Sequence, residues 1–344
     1  MTAPRFSVCL PNSKEGKTHP PGAVDTRWIR EMALSAEATG FDGVWVSELL
    51  QAQGGAGEGG KVDVHAAAAA PVSYYDPIAT IGYVAALTER VRITTATLVL
   101  PHHHPVLLSR QMATLDVLTG GRITLGVGLG GSANSFRQLR GDLSPANRAT
   151  MMDEFLQALR LQWENPVASY AGKYVHITDA EAYPKPVQSP LPIYMAGMAE
   201  GALRRLARFG QGWIDSHSLP ETIADVVARI HGYRSEQGNQ DSGLQVARQF
   251  YISLGQTREE ARQCMSEGLG GNPPQASVAD EEERRIVGTP DDVVDRLSRY
   301  PAAGVTEICA VFYGGSLASV RRQLSLFADE VIPRITAASG ALPV

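Results

Sequence analysis

A few residues able to do acid–base chemistry stand at the ends of apolar runs in this 344-residue chain. Glu48 closes the apolar run GVWVS, and His102, His103 and His104 stand between the run VRITTATLVLP and a Pro-led helix pattern. Carboxylates accept protons and histidine titrates near neutrality, so Glu48 and His103 are the first candidates for proton transfer. His217, just after GWIDS, is a third. His102 and Arg248 are candidates for substrate contact. Arg248 interrupts the strand pattern QVARQFYISL, where a charge must be paired or face an opening. Adjacent loop histidines cannot all point at one ion, and no cysteine or carboxylate stands beside them, so no metal site is expected. The glycine run GVGLGG, with Asp153 downstream, has the wrong phasing for the GxGxxG dinucleotide fingerprint and does not open the fold. Its glycines do let a ligand approach the backbone closely.

These residues sit at the ends of regular elements. The sequence predicts strands over residues 6–10, 43–47, 91–99, 123–127, 192–196, 212–216, 245–254 and 305–312. Helix periodicity places helices over residues 26–39, 77–88, 105–118, 148–163, 199–208, 221–237, 258–267, 290–300 and 317–328. Strands alternating with helices predict parallel pairing, and eight strands are the count of a (β/α)8 TIM barrel in the α/β class. Ligand sites in such a barrel lie at the carboxyl ends of the strands, where Glu48, the histidines and the glycines fall. Asp25 is a predicted helix N-cap, Gly40 and Gly210 are predicted stops, and Thr289-Pro290-Asp291-Asp292 is a helix start. Residues 51–76, 164–191 and 268–288 break the alternation and read as insertions at the strand-end face of one domain spanning residues 1–344.

Bulk properties exclude several classes. With 44% apolar and 19% charged residues the chain can build a large core. A net charge of −5 without a basic run argues against nucleic acid or an anionic membrane as partner. Cys9, Cys264 and Cys309 form no CxxC pair, which fits a reducing cytoplasm and no disulfide framework. No signal-peptide pattern and no long apolar span is present.

Five blocks carry a family resemblance: AEATGFDGVWVSE (36–48); HPVLLSRQMATLDVLTGGRITLGVGLGG (104–131); RATMMDEFLQALRLQW (148–163); PLPIYMAG (190–197) with FGQGWIDSH (209–217); and VGTPDDVVDRLSRYPAAGVTEI (287–308). The chain resembles the bacterial-luciferase-like oxidoreductases, which include FMNH2-dependent monooxygenases and coenzyme F420-dependent enzymes. The resemblance implies a TIM barrel with the cofactor ring over strand ends 2 to 5. It places Thr95, Ala96 and Thr97 at a strand-3 bulge that often carries a non-prolyl cis peptide beneath the ring. Gly128 and Gly130 would border the ring, Asn134 matches an Asn found near the deazaflavin, and Gly197, Met198 and Ala199 would open a helix that receives the cofactor phosphate. Two positions depart from the pattern: Leu49 stands where many relatives have His, and Gly131 where some F420 enzymes have Glu.

The function expected is FMNH2-dependent monooxygenation, in which oxygen from O2 is transferred to a small organic substrate. The alternatives are F420-dependent hydride transfer without O2, and a barrel that binds flavin without catalysis. A separate flavin or F420 reductase and a second copy of the chain are the expected partners.

Overall fold

The computed structural model describes residues 3–50, 71–238, 243–270 and 285–340. Eight parallel strands close on themselves: β1 (Arg5–Cys9), β2 (Gly43–Val46), β3 (Arg92–Thr95), β5 (Ile123–Gly128), β8 (Ile193–Ala196), β9 (Gly212–Asp215), β10 (Gln245–Leu254) and β12 (Glu307–Phe312). The closing seam pairs β1 with β12, from Arg5 opposite Glu307 to Val8 opposite Ala310. Helices run between the strands, and the result is the (β/α)8 barrel predicted. Strands such as GVWV are buried along their whole length, as parallel strands covered on both faces must be.

Alternation along each strand separates two cores. Cys9, Trp45, Tyr194, Ile214, Ala247, Cys309 and Val311 fill the barrel interior. A larger cluster, including Val8, Val44, Ile93, Leu125 and Ile252, lies between the strands and the helices. At the lower end the interior turns polar. The Glu307 carboxylate accepts from Arg5 (3.1 Å), Ser7 Oγ (2.7 Å) and Trp45 Nε1 (2.8 Å). Arg5 donates further to Tyr194 Oη and Gln245 Oε1, so one ion pair touches five strands.

The predicted punctuation is seen at several ends. Asp25 accepts from the Arg27 and Trp28 N–H groups, and Gly40 takes φ of 85° after the first helix, α1 (Thr26–Ala38). The Thr289 N–H donates to Asp292 at the start of helix Pro290–Leu297. The structure bears out the irregularity that the resemblance places at residues 95–97, and it departs from the sequence expectation elsewhere. The strand expected over residues 91–99 breaks after Thr95 at a cis Ala96–Thr97 peptide and resumes as β4 (Leu98–Val99) against β5. Residues 164–191 hold an antiparallel hairpin, β6 (Ala168–Ala171) and β7 (His176–Ala180), whose mostly exposed polar residues leave no apolar alternation to read. A seven-residue helix, Ala133–Leu139, follows the strand-5 glycines on a Ser132 cap and is too short for a periodic signal. The helix expected to stop near residue 328 continues through a π turn (Phe327–Val331) into Ile332–Gly340. Pro333 cannot donate to the preceding turn, and widening that turn accommodates it.

Glu307→Ala should strand the Arg5 charge and the Trp45 N–H, and cost about 3–5 kcal/mol in urea unfolding. A loss under about 1 kcal/mol would mean that the seam does not depend on this pair.

Candidate active site

The second strand carries Glu48 to the barrel mouth, and the β3–helix connection brings His103 to meet it. Glu48 Oε2 accepts the Val99 N–H at 2.5 Å, and both of its oxygens lie 3.1 Å from His103 Nε2. A carboxylate only accepts, so the His103 tautomer that fits carries its proton on Nε2. The Glu48 side chain is 7% exposed and that of His103 17%, so the pair borders the solvent without being open to it. Arg140 fixes the loop from beneath by donating to the Pro101 and His103 carbonyls. His102 lies beside the pair, and its enclosed Nδ1 has no hydrogen-bond partner among the described residues. Burial holds its pKa below the ordinary histidine value, with Glu48 pulling the other way. His104 is exposed and begins the helix Pro105–Thr119.

The ends of β3, β5 and β8 form a cradle of small residues. Thr95 is fully buried. Its hydroxyl donates to the Gly126 carbonyl and accepts the Gly126 N–H, both at 2.7 Å, so it stitches β3 to β5. A Cβ on Gly126 would collide with the Thr95 carbonyl, which is why only glycine fits there. Beyond it the cis Ala96–Thr97 peptide brings Thr97 under Gly128: a Cβ added at Gly128 would lie 2.8 Å from Thr97 Oγ1 and 3.9 Å from the Ala196 Cβ. Gly130 has φ of 71° and packs on Val99, and Arg148 donates to its carbonyl. At the end of β8, Gly197 has φ of 115° and its carbonyl accepts from Trp213 Nε1. Met198 and Ala199 are exposed. Ala199 begins the helix α6 (Glu200–Phe209) and offers no side-chain cap, which leaves the positive helix end open to an anion.

The remaining candidates fall elsewhere. Asn134 is exposed on the helix Ala133–Leu139. His217 is exposed after β9, its backbone N–H held by Asp215. Arg248 is buried and paired with Asp215 at 2.8 Å, and its guanidinium lies 4.6 Å from the Phe250 ring centre. Asp215 also holds Ser218, so Arg248 braces the β9 loop. Glu48, His103 and His102 are therefore brought together, and Arg248 belongs to a separate, packed ion pair. Most of the insertion read at residues 51–76 lies outside the described residues.

Sequence reasoning missed the turn after β1. Residues 11–19 are polar in sequence and received no functional reading there, yet Asn12, Ser13, Lys14, Glu15, Thr18 and His19 are all buried. Asn12 donates to the Ser47 carbonyl (2.7 Å) and accepts the Ser47 N–H, directly beside Glu48. His19 Nδ1 lies 3.1 Å from the Gly314 carbonyl and its ring meets Trp28 edge-on. Only their adjacency to strand-end residues in space marks them. A surface cleft of about 600 Å³, lined by residues such as Glu260, Arg322 and Asp329, includes none of the candidate residues.

The sequence profile of the luciferase-like monooxygenases matches residues 4–307. The chain belongs to that family. Among the curated relatives of the family, it is 28% identical over 339 residues to an F420-dependent glucose-6-phosphate dehydrogenase of Amycolatopsis mediterranei, covering 90% of this chain and 95% of the relative. It is 23% identical to an FMNH2-dependent dimethylsulfone monooxygenase of Pseudomonas putida, covering 96% of this chain and 95% of the relative. Uncharacterised mycobacterial relatives are 36% identical over 140 residues, and there the chain spans about half of their length (49%). A long-chain alkane monooxygenase shares the fold of this family member with a TM-score of 0.77 at 20% identity, covering 100% of this chain and 93% of that one. The relatives of this luciferase-like barrel thus include both an F420-dependent and an FMNH2-dependent enzyme.

Two stability outcomes follow from this geometry. Glu48→Ala leaves the Val99 N–H without its acceptor and should cost about 1–3 kcal/mol, whereas Glu48→Gln, which still accepts, should lose less; chemical denaturation of both variants separates them. Burial lowers the His19 pKa to about 4, against the Gly314 hydrogen bond and with help from the Lys14 charge. The unfolded chain therefore takes this proton more readily. Stability is full above a pH of about 6.5, falls as the pH drops, and has lost about 3 kcal/mol once the pH is below the folded value. His19→Gln should flatten that window in unfolding curves taken across it.

Proposed function

We propose that the protein is an FMNH2-dependent monooxygenase that transfers oxygen from O2 to a small organic substrate. The observation that carries this reading is the Glu48–His103 pair standing at the strand ends next to the Thr97–Gly128 cradle. The residues present fit a reduced flavin. Ala96, Thr97, Gly128 and Ala196 leave room for a flat ring against the backbone, and the uncapped start of α6 suits its phosphate. When bound, the reduced flavin supplies the electrons that activate O2. A separate reductase would regenerate it.

The chain's own residues have three tasks. Ala96, Ala196, Ile214 and Val311 give the mouth an apolar floor that keeps water from the reacting atoms. Glu48 orients His103 and fixes its tautomer. His103 then holds a proton on Nε2 and has Nδ1 for exchange with the substrate, the role that Leu49 cannot fill. The F420-dependent reading has its own support in the glucose-6-phosphate dehydrogenase relative, which aligns over 90% of the chain. Gly131, where some F420 enzymes carry a Glu, speaks against it.

Anaerobic titration with FMNH2 and, separately, with F420H2 decides between them, read by the fluorescence of buried Trp45 and Trp213. FMNH2 should bind, and O2 should then be consumed at a rate the protein alters. Selective binding of F420H2 would overturn the monooxygenase reading, and binding of neither would leave a barrel without this chemistry. His103→Ala and Glu48→Gln should lower turnover by about 10²- to 10⁴-fold while reduced-cofactor binding persists.

A further inference from the structure

Lys14 is a buried cation at the barrel mouth that no described carboxylate neutralises. It follows the turn Pro11–Ser13 at the end of β1 and is 6% exposed. Its backbone is fixed: the N–H donates to the Pro11 carbonyl, and its own carbonyl accepts from Lys17, Thr18 and His19. The ammonium lies 6.0 Å from the centre of the Tyr251 ring. Cys9, Tyr251 and Cys309 are the groups that act on it most strongly, and none is a carboxylate. Cys9 and Cys309 belong to the core inside the barrel, with half-buried Tyr251 packed against it, so the ammonium is on the interior side of the mouth. The adjacent Glu15 does not offer itself as counter-ion. Its two oxygens each take a backbone N–H, from Val24 and Ser73, both at 2.6 Å.

Burying an ammonium is costly unless an anion meets it. Burial alone would drive Lys14 to its neutral form, but the surrounding sulfur and phenol groups outweigh that and hold its pKa above the ordinary value. The Lys14 ammonium is thus set in an aromatic and thiol-lined wall, and no carboxylate among the described residues meets it. The turn that holds it is also tied by Asn12 to Ser47, next to Glu48, so the charge and the proton-transfer pair are positioned by one segment.

We infer that Lys14 receives the anionic group of the substrate, and that the substrate is a small organic carboxylate or similar oxyanion. The inference rests on the reading of the barrel mouth as an oxidoreductase site and adds the substrate class to it. Tyr251 supplies an aromatic face beside the bound anion. A carboxylate docked on Lys14 would present the rest of its skeleton to the apolar floor formed by Ile214 and Val311.

The test compares carboxylates with their amides on the intact protein. Acetate, hexanoate and benzoate are titrated calorimetrically against acetamide, hexanamide and benzamide. At least one carboxylate should bind about tenfold or more tightly than its amide, a difference typical of a satisfied charge pair. The preference should vanish in Lys14→Met and survive, weakened, in Lys14→Arg. If no carboxylate is preferred over its amide by the wild-type protein, the inference is wrong, and this comparison needs no variant to fold. A preference that persists undiminished in folded Lys14→Met also overturns it. Anaerobic FMNH2 titration of wild type and Lys14→Met separates the two sources of negative charge. Equal FMNH2 affinity is expected. A tenfold loss in the variant, together with no carboxylate preference, would assign Lys14 to the reduced cofactor instead. Carboxylate preference without binding of either reduced cofactor would sink the flavin reading and leave the anion site standing.

Discussion

The barrel depends on one buried carboxylate. Glu307 stands on the last strand and receives the Arg5 guanidinium, the Ser7 hydroxyl and the Trp45 indole, from the first and second strands. The residues it joins are about three hundred positions apart in the chain, so nothing local can hold that seam. Parallel strands must be covered on both faces and closed at both edges. A charged group inside a barrel is tolerated only when its hydrogen-bonding capacity is filled, and here the neighbours fill it. Once the seam is closed, all eight strand ends are brought round a single mouth, and every candidate residue inherits its position from that closure.

The mouth is divided by chemistry. On the side of β2, β3, β5 and β8, glycine and alanine replace bulk with backbone, and Thr95 mends the ladder where β3 departs from β5. That side suits a flat ring. Beside it, Glu48 and His103 form a pair that can hold a proton in a defined tautomer. On the side of β1, β10 and β12, Lys14 brings charge and Tyr251 an aromatic face. The apolar floor between them, built from Ala96, Ala196, Ile214 and Val311, limits water and strengthens every charge that acts above it. Under the proposed function these would be distinct places for a ring, a proton and an anion within one opening.

Arg248 illustrates how a correct local inference can lead to another role. A charge inside a strand must be paired or face an opening, and the sequence cannot say which. In the fold the side chain turns towards Asp215, which itself organises the next loop. Lys14 is the reverse case. Nothing in PNSKEG suggests burial, because a lysine in a polar turn is ordinarily solvated. The turn becomes interior only because Asn12 and Glu15 satisfy backbone groups of segments reached through the barrel's closure.

The sequence by itself determined the strand–helix alternation, all eight barrel strands to within a few residues, and the strand-end location of Glu48, the histidines and the glycines. Those features are written in short-range patterns: apolar runs, caps such as Asp25, and stops such as Gly40. The family motifs likewise anticipated an irregularity at residues 95–97, where the cis Ala96–Thr97 peptide is found. Only the tertiary structure decided which histidine meets Glu48, that Arg248 pairs with Asp215, and that Lys14 is buried with no described carboxylate against it. Each of these is a contact between residues far apart in the chain. Such contacts depend on the register and closure of the barrel, and short-range periodicity carries no record of either.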